Sequence, residues 1–124
     1  MGTAMNLEVT TRCIGDHVAI VDLHGEMDVY TTPRAKETML ELLEKGYYHL
    51  VVNLQGTDYL DSTALGLLVG TLKRARERGG DLHLVAPGAR IRRLLEITRL
   101  DKVFPIDASE QEATNKLSQK GTES

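Results

Sequence analysis

Residues 50–70 are LVVNLQGTDYLDSTALGLLVG, an apolar strand pattern followed by a polar turn and an amphipathic helix pattern. Branched apolar residues dominate at 50–54, which is typical of a buried strand. After Ser62, apolar residues recur at helical spacing. Ser62 therefore lies where a strand passes into a helix N-terminus, and the unpaired N–H groups there favour oxygen-rich or anionic groups. A serine at this position is either a helix cap or a phosphorylation site.

Strand and helix patterns alternate on both sides of this stretch. The N-terminal part predicts a hairpin, and Thr32-Pro33 predicts a helix start with Thr32 as cap and Pro33 at the first helical position. Pro105 lacks an N–H group, so the last strand should be very short or lie at a sheet edge. Strands are predicted at 7–12, 17–24, 47–54, 81–85 and 102–106, and helices after 32, from 62, at 89–98 and from 109.

This β-β-α-β-α-β-α-β-α order predicts one α/β domain with an open, mixed sheet of about five strands. The strands ending at His24 and Leu54 are expected to be parallel and adjacent. Their following loops, 25–33 and 55–62, would then emerge at the same edge of the sheet, where open α/β sheets usually place their sites. Asp28 and Ser62 should therefore share one surface.

The composition of the chain argues against several classes of function. The chain has 124 residues, 41% of them apolar, and a net charge of −3, which argues against a broad basic surface for nucleic acid. No apolar run reaches the roughly 18 residues of a membrane helix, and residues 1–5 have neither the positive segment nor the apolar stretch that is typical of a signal peptide. A lone cysteine, Cys13, fits a cytoplasmic location. We expect an N-terminal extension at 1–6, in which Met5 could be the original start, a domain at 7–114 and a flexible tail at 115–124.

Metal and cofactor sites are not predicted. The histidines at 17, 24, 49 and 83 lack ligand partners at metal-binding spacing. Cys13 is expected to be a small buried hydrophobic residue rather than a nucleophile. Gly66 and Gly70 form G-x-x-x-G, which predicts close helix packing and, with no Walker lysine after it, is not a phosphate loop.

A catalytic serine is also not predicted. Ser62 is flanked by Asp61 and Thr63 rather than by the glycines of a G-x-S-x-G elbow, and no histidine follows His83. A helix cap alone does not account for the neighbouring hydroxyl of Thr63 or for two acidic residues in the turn, Asp58 and Asp61. These features favour an exposed docking surface, and the chain is expected not to be an enzyme.

With these residues in view, the chain resembles a stand-alone STAS domain of the anti-sigma factor antagonist family over about residues 7–113. The resemblance departs at Ala64 and Arg99, where the family often has glycine. Four segments carry the resemblance, in this order: Gly25-Glu26-Met27-Asp28 with Thr32-Pro33; 50–54; Leu60-Asp61-Ser62-Thr63-Ala64-Leu65-Gly66; and 92–100 running into Val103-Phe104-Pro105-Ile106.

The resemblance implies a bacterial partner switch that regulates transcription. The unphosphorylated protein would bind an anti-sigma factor that is also a serine kinase, and this would free a sigma factor. Phosphorylation of Ser62 would separate the complex, and a metal-dependent serine phosphatase would reverse the step. The partner-binding residues implied by the family are Asp28, Thr31, Thr32, Pro33, Asp61, Ser62, Thr63 and Gly66.

Two alternatives stay open from the sequence. The chain could be a STAS accessory module of another signalling assembly. It could instead be a weak nucleotide-binding protein, supported only by a helix N-terminus beside Asp28 and Asp61.

Overall fold

The chain alternates strands and helices after an N-terminal hairpin. The computed structural model describes residues 7–123, so the predicted extension at 1–6 lies outside the described residues. The elements are β1 (Leu7–Ile14), β2 (Val18–Gly25), α1 (Thr32–Glu44), β3 (His49–Gly56), α2 (Ser62–Glu77), β4 (Asp81–Val85), α3 (Ala89–Ile97), β5 (Ile106–Asp107) and α4 (Glu110–Glu123). A 3₁₀ turn (Leu100–Lys102) precedes β5. The predicted order of strands and helices is confirmed.

One mixed sheet of five strands runs through the domain in the order β1-β2-β3-β4-β5. β1 pairs antiparallel with β2, and all other neighbours are parallel. Each crossover therefore steps in the same direction, which places α1, α2 and α3 on one face of the sheet. The main core fills that face, where Met39, Leu68 and Leu95 of the three helices meet the sheet. β5 has two residues and lies at the edge, as Pro105 predicts.

The opposite face of the sheet carries a smaller core covered by α4. Ala113 and Leu117 are fully buried there against sheet residues that include Ile20 and Val51. These two residues are four positions apart and lie on one side of the helix. The predicted tail at 115–124 is therefore corrected: α4 continues to Glu123, and Leu117 is a core residue.

Ion pairs attach the start and the middle of α4 to the sheet. Arg12 bonds to Asp22 at 2.9 Å and to Glu110 at 2.7 Å. This hydrogen bond from Arg12 is the main reason that the pKa of Glu110 lies below its ordinary value. Further along the helix, Lys116 Nζ donates to Asp107 at 2.6 Å. Burial by itself raises the pKa of Asp107, but the hydrogen bonds from Lys116 and His83 outweigh it, so the pKa is lowered.

Two local features bear on what the sequence analysis stated about Cys13 and Arg99. Cys13 is exposed on β1, so the prediction of a buried cysteine is wrong. Arg99, just beyond α3, has a φ of 63°, the left-handed conformation in which helices commonly end on glycine. This geometry explains why glycine is favoured at that position.

Within residues 7–123, no helix is long and apolar enough to cross a membrane.

Candidate functional site

The loops that follow β2 and β3 meet at one edge of the sheet, as predicted. Met27 forms a parallel bridge with Leu60. Its N–H donates to the carbonyl of Tyr59, and its carbonyl accepts from the N–H of Asp61, both at 3.1 Å. The buried hydroxyl of Thr57 donates to the carbonyl of Leu23 at 2.9 Å. These bonds fix the backbone immediately before Ser62.

Asp28 organises the first of these loops. Its Oδ1 accepts hydrogen bonds from the N–H groups of Tyr30 at 2.9 Å and Thr31 at 3.0 Å. The hydroxyl of Thr31 in turn accepts from the Asp28 N–H at 3.0 Å and donates to the Glu26 carbonyl at 2.7 Å. Asp28 is thus half-buried and engaged with its own loop, and the turn presents Val29 and Tyr30, which are 54% and 79% exposed.

Asp61, rather than Ser62, caps α2. Its Oδ1 accepts from the N–H of Ala64 at 3.0 Å. Ser62 is the first helical residue, and both Ser62 and Thr63 are exposed. Within residues 7–123 the Ser62 side chain makes no hydrogen bond. The interpretation of Ser62 as a simple helix cap is therefore corrected, because the neighbouring aspartate already performs that role.

A groove of about 380 Å³ lies between α1 and α2. The prediction that Gly66 and Gly70 serve close packing is wrong, because a Cβ at either position would meet nothing within 4 Å. They leave the groove open instead. Its lining comprises Thr32, Pro33, Lys36, Leu40, Thr63, Gly66, Leu67, Gly70, Thr71 and Arg74.

The cap of α1 is also one residue earlier than predicted. Thr31 is the N-cap, and Pro33 lies in the first turn. Thr32 is buried, and its hydroxyl has no hydrogen-bond partner. The buried Thr31 is a loop-forming residue, whereas Thr32 borders the α1–α2 groove.

The eight predicted residues occupy two adjoining loops and the helix starts that follow them. Four of them, Thr32, Pro33, Thr63 and Gly66, line the α1–α2 groove. Asp28 and Thr31 shape the first loop, while Asp61 and Ser62 form the turn before α2. Sequence reasoning missed the exposed side chains of Val29, Tyr30 and Tyr59, the last of which is 42% exposed. Apolar residues inside otherwise polar loops are the pattern that would have indicated them.

Potential metal ligands do not cluster at this edge of the part of the chain that the structure describes. Among the described residues 7–123, no group of three or more His, Cys, Asp or Glu side chains could hold a metal ion. His83 is buried on the α4 side of the sheet, where its Nδ1 lies 2.5 Å from Asp107 Oδ2. The arrangement at the loop edge thus consists of an exposed hydroxyl, apolar side chains and carboxylates on a fixed backbone.

Two comparisons with known proteins agree on the family of this chain. A family model described as "STAS domain" matches residues 5–113. An anti-sigma-B factor antagonist of Staphylococcus aureus is 38% identical over 103 residues, which are 83% of this chain and 93% of that protein.

Solved structures share the architecture. An anti-sigma factor antagonist from Mycobacterium paratuberculosis superposes with a TM-score of 0.84 at 24% identity, covering 95% of this chain and 99% of that one. The Bacillus cell fate determinant SpoIIAA in its phosphorylated form gives 0.72 at 18% identity, covering 88% and 98%. The fold follows from these likenesses, and the family follows from the sequence relatives: the chain belongs to the family of STAS-domain anti-sigma factor antagonists.

Proposed function

We propose that the unphosphorylated protein binds an anti-sigma factor with serine-kinase activity, and thereby frees a sigma factor for transcription. In this proposal the kinase phosphorylates Ser62, the complex separates, and a metal-dependent serine phosphatase restores the binding form. The relatives named as anti-sigma factor antagonists support the partner class. A solved phosphorylated form of a protein with the same fold is compatible with such a cycle.

The observation that carries this proposal is the isolated, exposed hydroxyl of Ser62 on a fixed turn. Asp61 takes the capping role, so modification of Ser62 breaks no bond within the described chain. The α2 N-terminus offers free N–H groups and a favourable dipole to an added phosphate. Phosphorylation can therefore change the surface while the fold persists.

The docking surface in this proposal combines the loop edge with the start of the α1–α2 groove. Val29, Tyr30 and Tyr59 supply exposed apolar area, which is enriched at the centres of protein interfaces. Thr63 and Gly66 extend that area into the groove. Ser62 is exposed and lies between Tyr59 and Thr63 in the sequence, so in this proposal a charge added to it would face the bound partner.

The electrostatic repulsion that phosphorylation adds is large enough to switch partner binding. A phosphoserine adds about −1.5 to −2 charges, beside the carboxylate of Asp61. Shifting an equilibrium from 1:99 to 99:1 takes about 5.5 kcal/mol. Two like charges 4 Å apart repel by roughly 4 kcal/mol at an effective dielectric of 20. Desolvation of the phosphate within the interface adds to this repulsion.

The test measures binding of the purified anti-sigma factor from the same organism to four forms of the protein. Wild type and Ser62→Ala should bind, whereas enzymatically phosphorylated wild type and Ser62→Asp should bind at least about tenfold more weakly, equivalent to about 1.4 kcal/mol. Thr11→Val is the matched control, because it removes an exposed hydroxyl on β1, outside the docking surface, and should bind like wild type. Equal affinity of the phosphorylated and unphosphorylated forms would contradict the proposal.

A further inference from the structure

A second groove, of about 290 Å³, runs between the β3–α2 loop and α3. Its floor is apolar and includes Leu60, Ile91 and Leu94. Its rim carries Tyr59 and Ile97, which are 42% and 71% exposed. Ile97 is an apolar residue of α3, yet most of its surface faces solvent. This α3 groove is continuous with the Ser62 loop through residues 58–60.

Unpaired cations line the α3 side of this groove. Arg90 and Arg93 border it, and neither side chain makes an ion pair or hydrogen bond to another residue within 7–123. Asp58 is the acidic residue at the border and lies on the loop side. Two arginines beside an apolar groove are unexpected in a chain whose net charge is −3.

Arg90, in the first turn of α3, also opposes the stability of its own helix. The first turn of α3 contains no acidic residue. Its N-cap is Gly88, which has no side chain that could accept a hydrogen bond from the first N–H groups. Arginine near a helix N-terminus interacts unfavourably with the helix dipole, typically by a few tenths of a kcal/mol or more. A residue that destabilises its own helix without a compensating contact in the fold is typical of a functional surface.

We infer that the α3 groove is the specificity-determining part of the docking surface and holds an acidic, apolar segment of the anti-sigma partner. The apolar residues of that segment cover Ile97 and Tyr59, and its carboxylates pair with Arg90 and Arg93. Charge complementarity across an interface chiefly sets partner choice and association rate. This inference rests on the proposed function and adds the chemistry by which one partner is chosen.

The test compares two charge reversals on the same helix. Arg90→Glu with Arg93→Glu should weaken binding of the purified anti-sigma factor at least about tenfold and flatten the salt dependence of association. Arg92→Glu is the matched control, because Arg92 is exposed on α3 and does not line the groove; its effect should stay below about threefold. Ile97→Ser tests the apolar contact without changing charge. Melting temperatures should be unchanged or raised in the charge variants, since glutamate suits a helix N-terminus.

The outcomes separate this inference from the proposed function. If wild type binds the anti-sigma factor and the double variant binds equally well, the α3 groove inference is wrong and the proposed function stands. If wild type does not bind the anti-sigma factor, both are wrong. Vesicles of phosphatidylglycerol and phosphatidylcholine serve as a second probe. Binding of wild type to these vesicles that is lost in the double variant would assign the groove to a lipid surface and overturn the inference.

Discussion

Asp61 Oδ1 accepts the hydrogen bond from the Ala64 N–H at 3.0 Å, so the residue directly before Ser62 caps α2. The cap explains how an exposed serine can begin a helix without making a structural bond. It also fixes the position of the helix start relative to the β3–α2 loop, because the N–H of Asp61 is held by Met27.

Ser62, not Thr63, should be the phosphoacceptor. Both hydroxyls are exposed, but Ser62 is adjacent to the fixed turn and Thr63 borders the α1–α2 groove. After incubation with the kinase and Mg-ATP, mass spectrometry should place the phosphate on Ser62. Ser62→Ala should lose it and Thr63→Val should retain it. Full incorporation into Ser62→Ala would contradict this assignment.

Phosphorylation should leave the fold intact. A phosphate at the first residue of α2 gains about 0.3–1 kcal/mol from the helix dipole, and the neighbouring Asp61 offsets part of this gain. We expect the free energy of unfolding to change by less than about 1 kcal/mol, with an unchanged circular dichroism spectrum. A loss of several kcal/mol in thermal or denaturant unfolding would mean that the switch operates by unfolding.

Asp28 should act through the shape of its loop rather than through its charge. Asp28→Asn keeps an Oδ1 that can accept from Tyr30 and Thr31, and should preserve partner binding. Asp28→Ala removes that acceptor and should cost about 1 kcal/mol of stability together with weaker binding, because Tyr30 loses its fixed position. Titration of the partner with both variants decides this point, and equal weakening by Asn and Ala would show that the charge itself matters.

Acid should loosen α4 first. The pKa values of Asp107 and Glu110 are lowered in the fold, so both carboxylates contribute stability that is present above their ordinary pKa values of about 4 and lost as pH falls through the lower folded values. The protection factors of the α4 amides against hydrogen exchange, which correct for the intrinsic pH dependence of exchange, should therefore fall below about pH 4. Asp107→Asn should lower the free energy of unfolding at neutral pH by about 1–2 kcal/mol and reduce its acid dependence. Glu96→Gln, an exposed change on α3, is the control and should alter neither.

Arg99→Gly should stabilise the end of α3. A non-glycine residue in the left-handed region costs about 1–2 kcal/mol, whereas glycine costs about 0.4–1 kcal/mol through the unfolded chain. The two effects leave a gain of up to about 1.6 kcal/mol in chemical denaturation. A clear loss of stability would show that the Arg99 side chain makes a contribution larger than its backbone strain.

The sequence was sufficient for the topology and for the meeting of the two loops. Strong periodicity and turn residues define the strands, and parallel neighbours necessarily end at one edge. The helix α2 begins at Ser62, as predicted. The capping residues of α1 and α2 each lie one position before the expected ones, because Thr31 and Thr32, like Asp61 and Ser62, are adjacent residues that can both cap. Only the tertiary contacts of Met27 and Asp28 decide between them.

Two other features could not be predicted from local pattern. α4 is polar in composition, and its position depends on two apolar residues plus ion pairs to Asp107 and Arg12 that are distant in sequence. Ile97 is exposed at the rim of the α3 groove, and helical periodicity does not encode which apolar residues of a helix stay uncovered by the rest of the fold.

The backbone bonds of Met27 to Tyr59 and Asp61 have a consequence for substrate recognition. They make the region around Ser62 a conformational epitope, assembled from two segments more than thirty positions apart along the chain. A linear peptide spanning 55–70 lacks the Met27 half of that epitope and should be a poor kinase substrate. A modifying enzyme would thus distinguish the folded protein from its unfolded or proteolysed forms, and only chains able to bind a partner would enter the phosphorylation cycle.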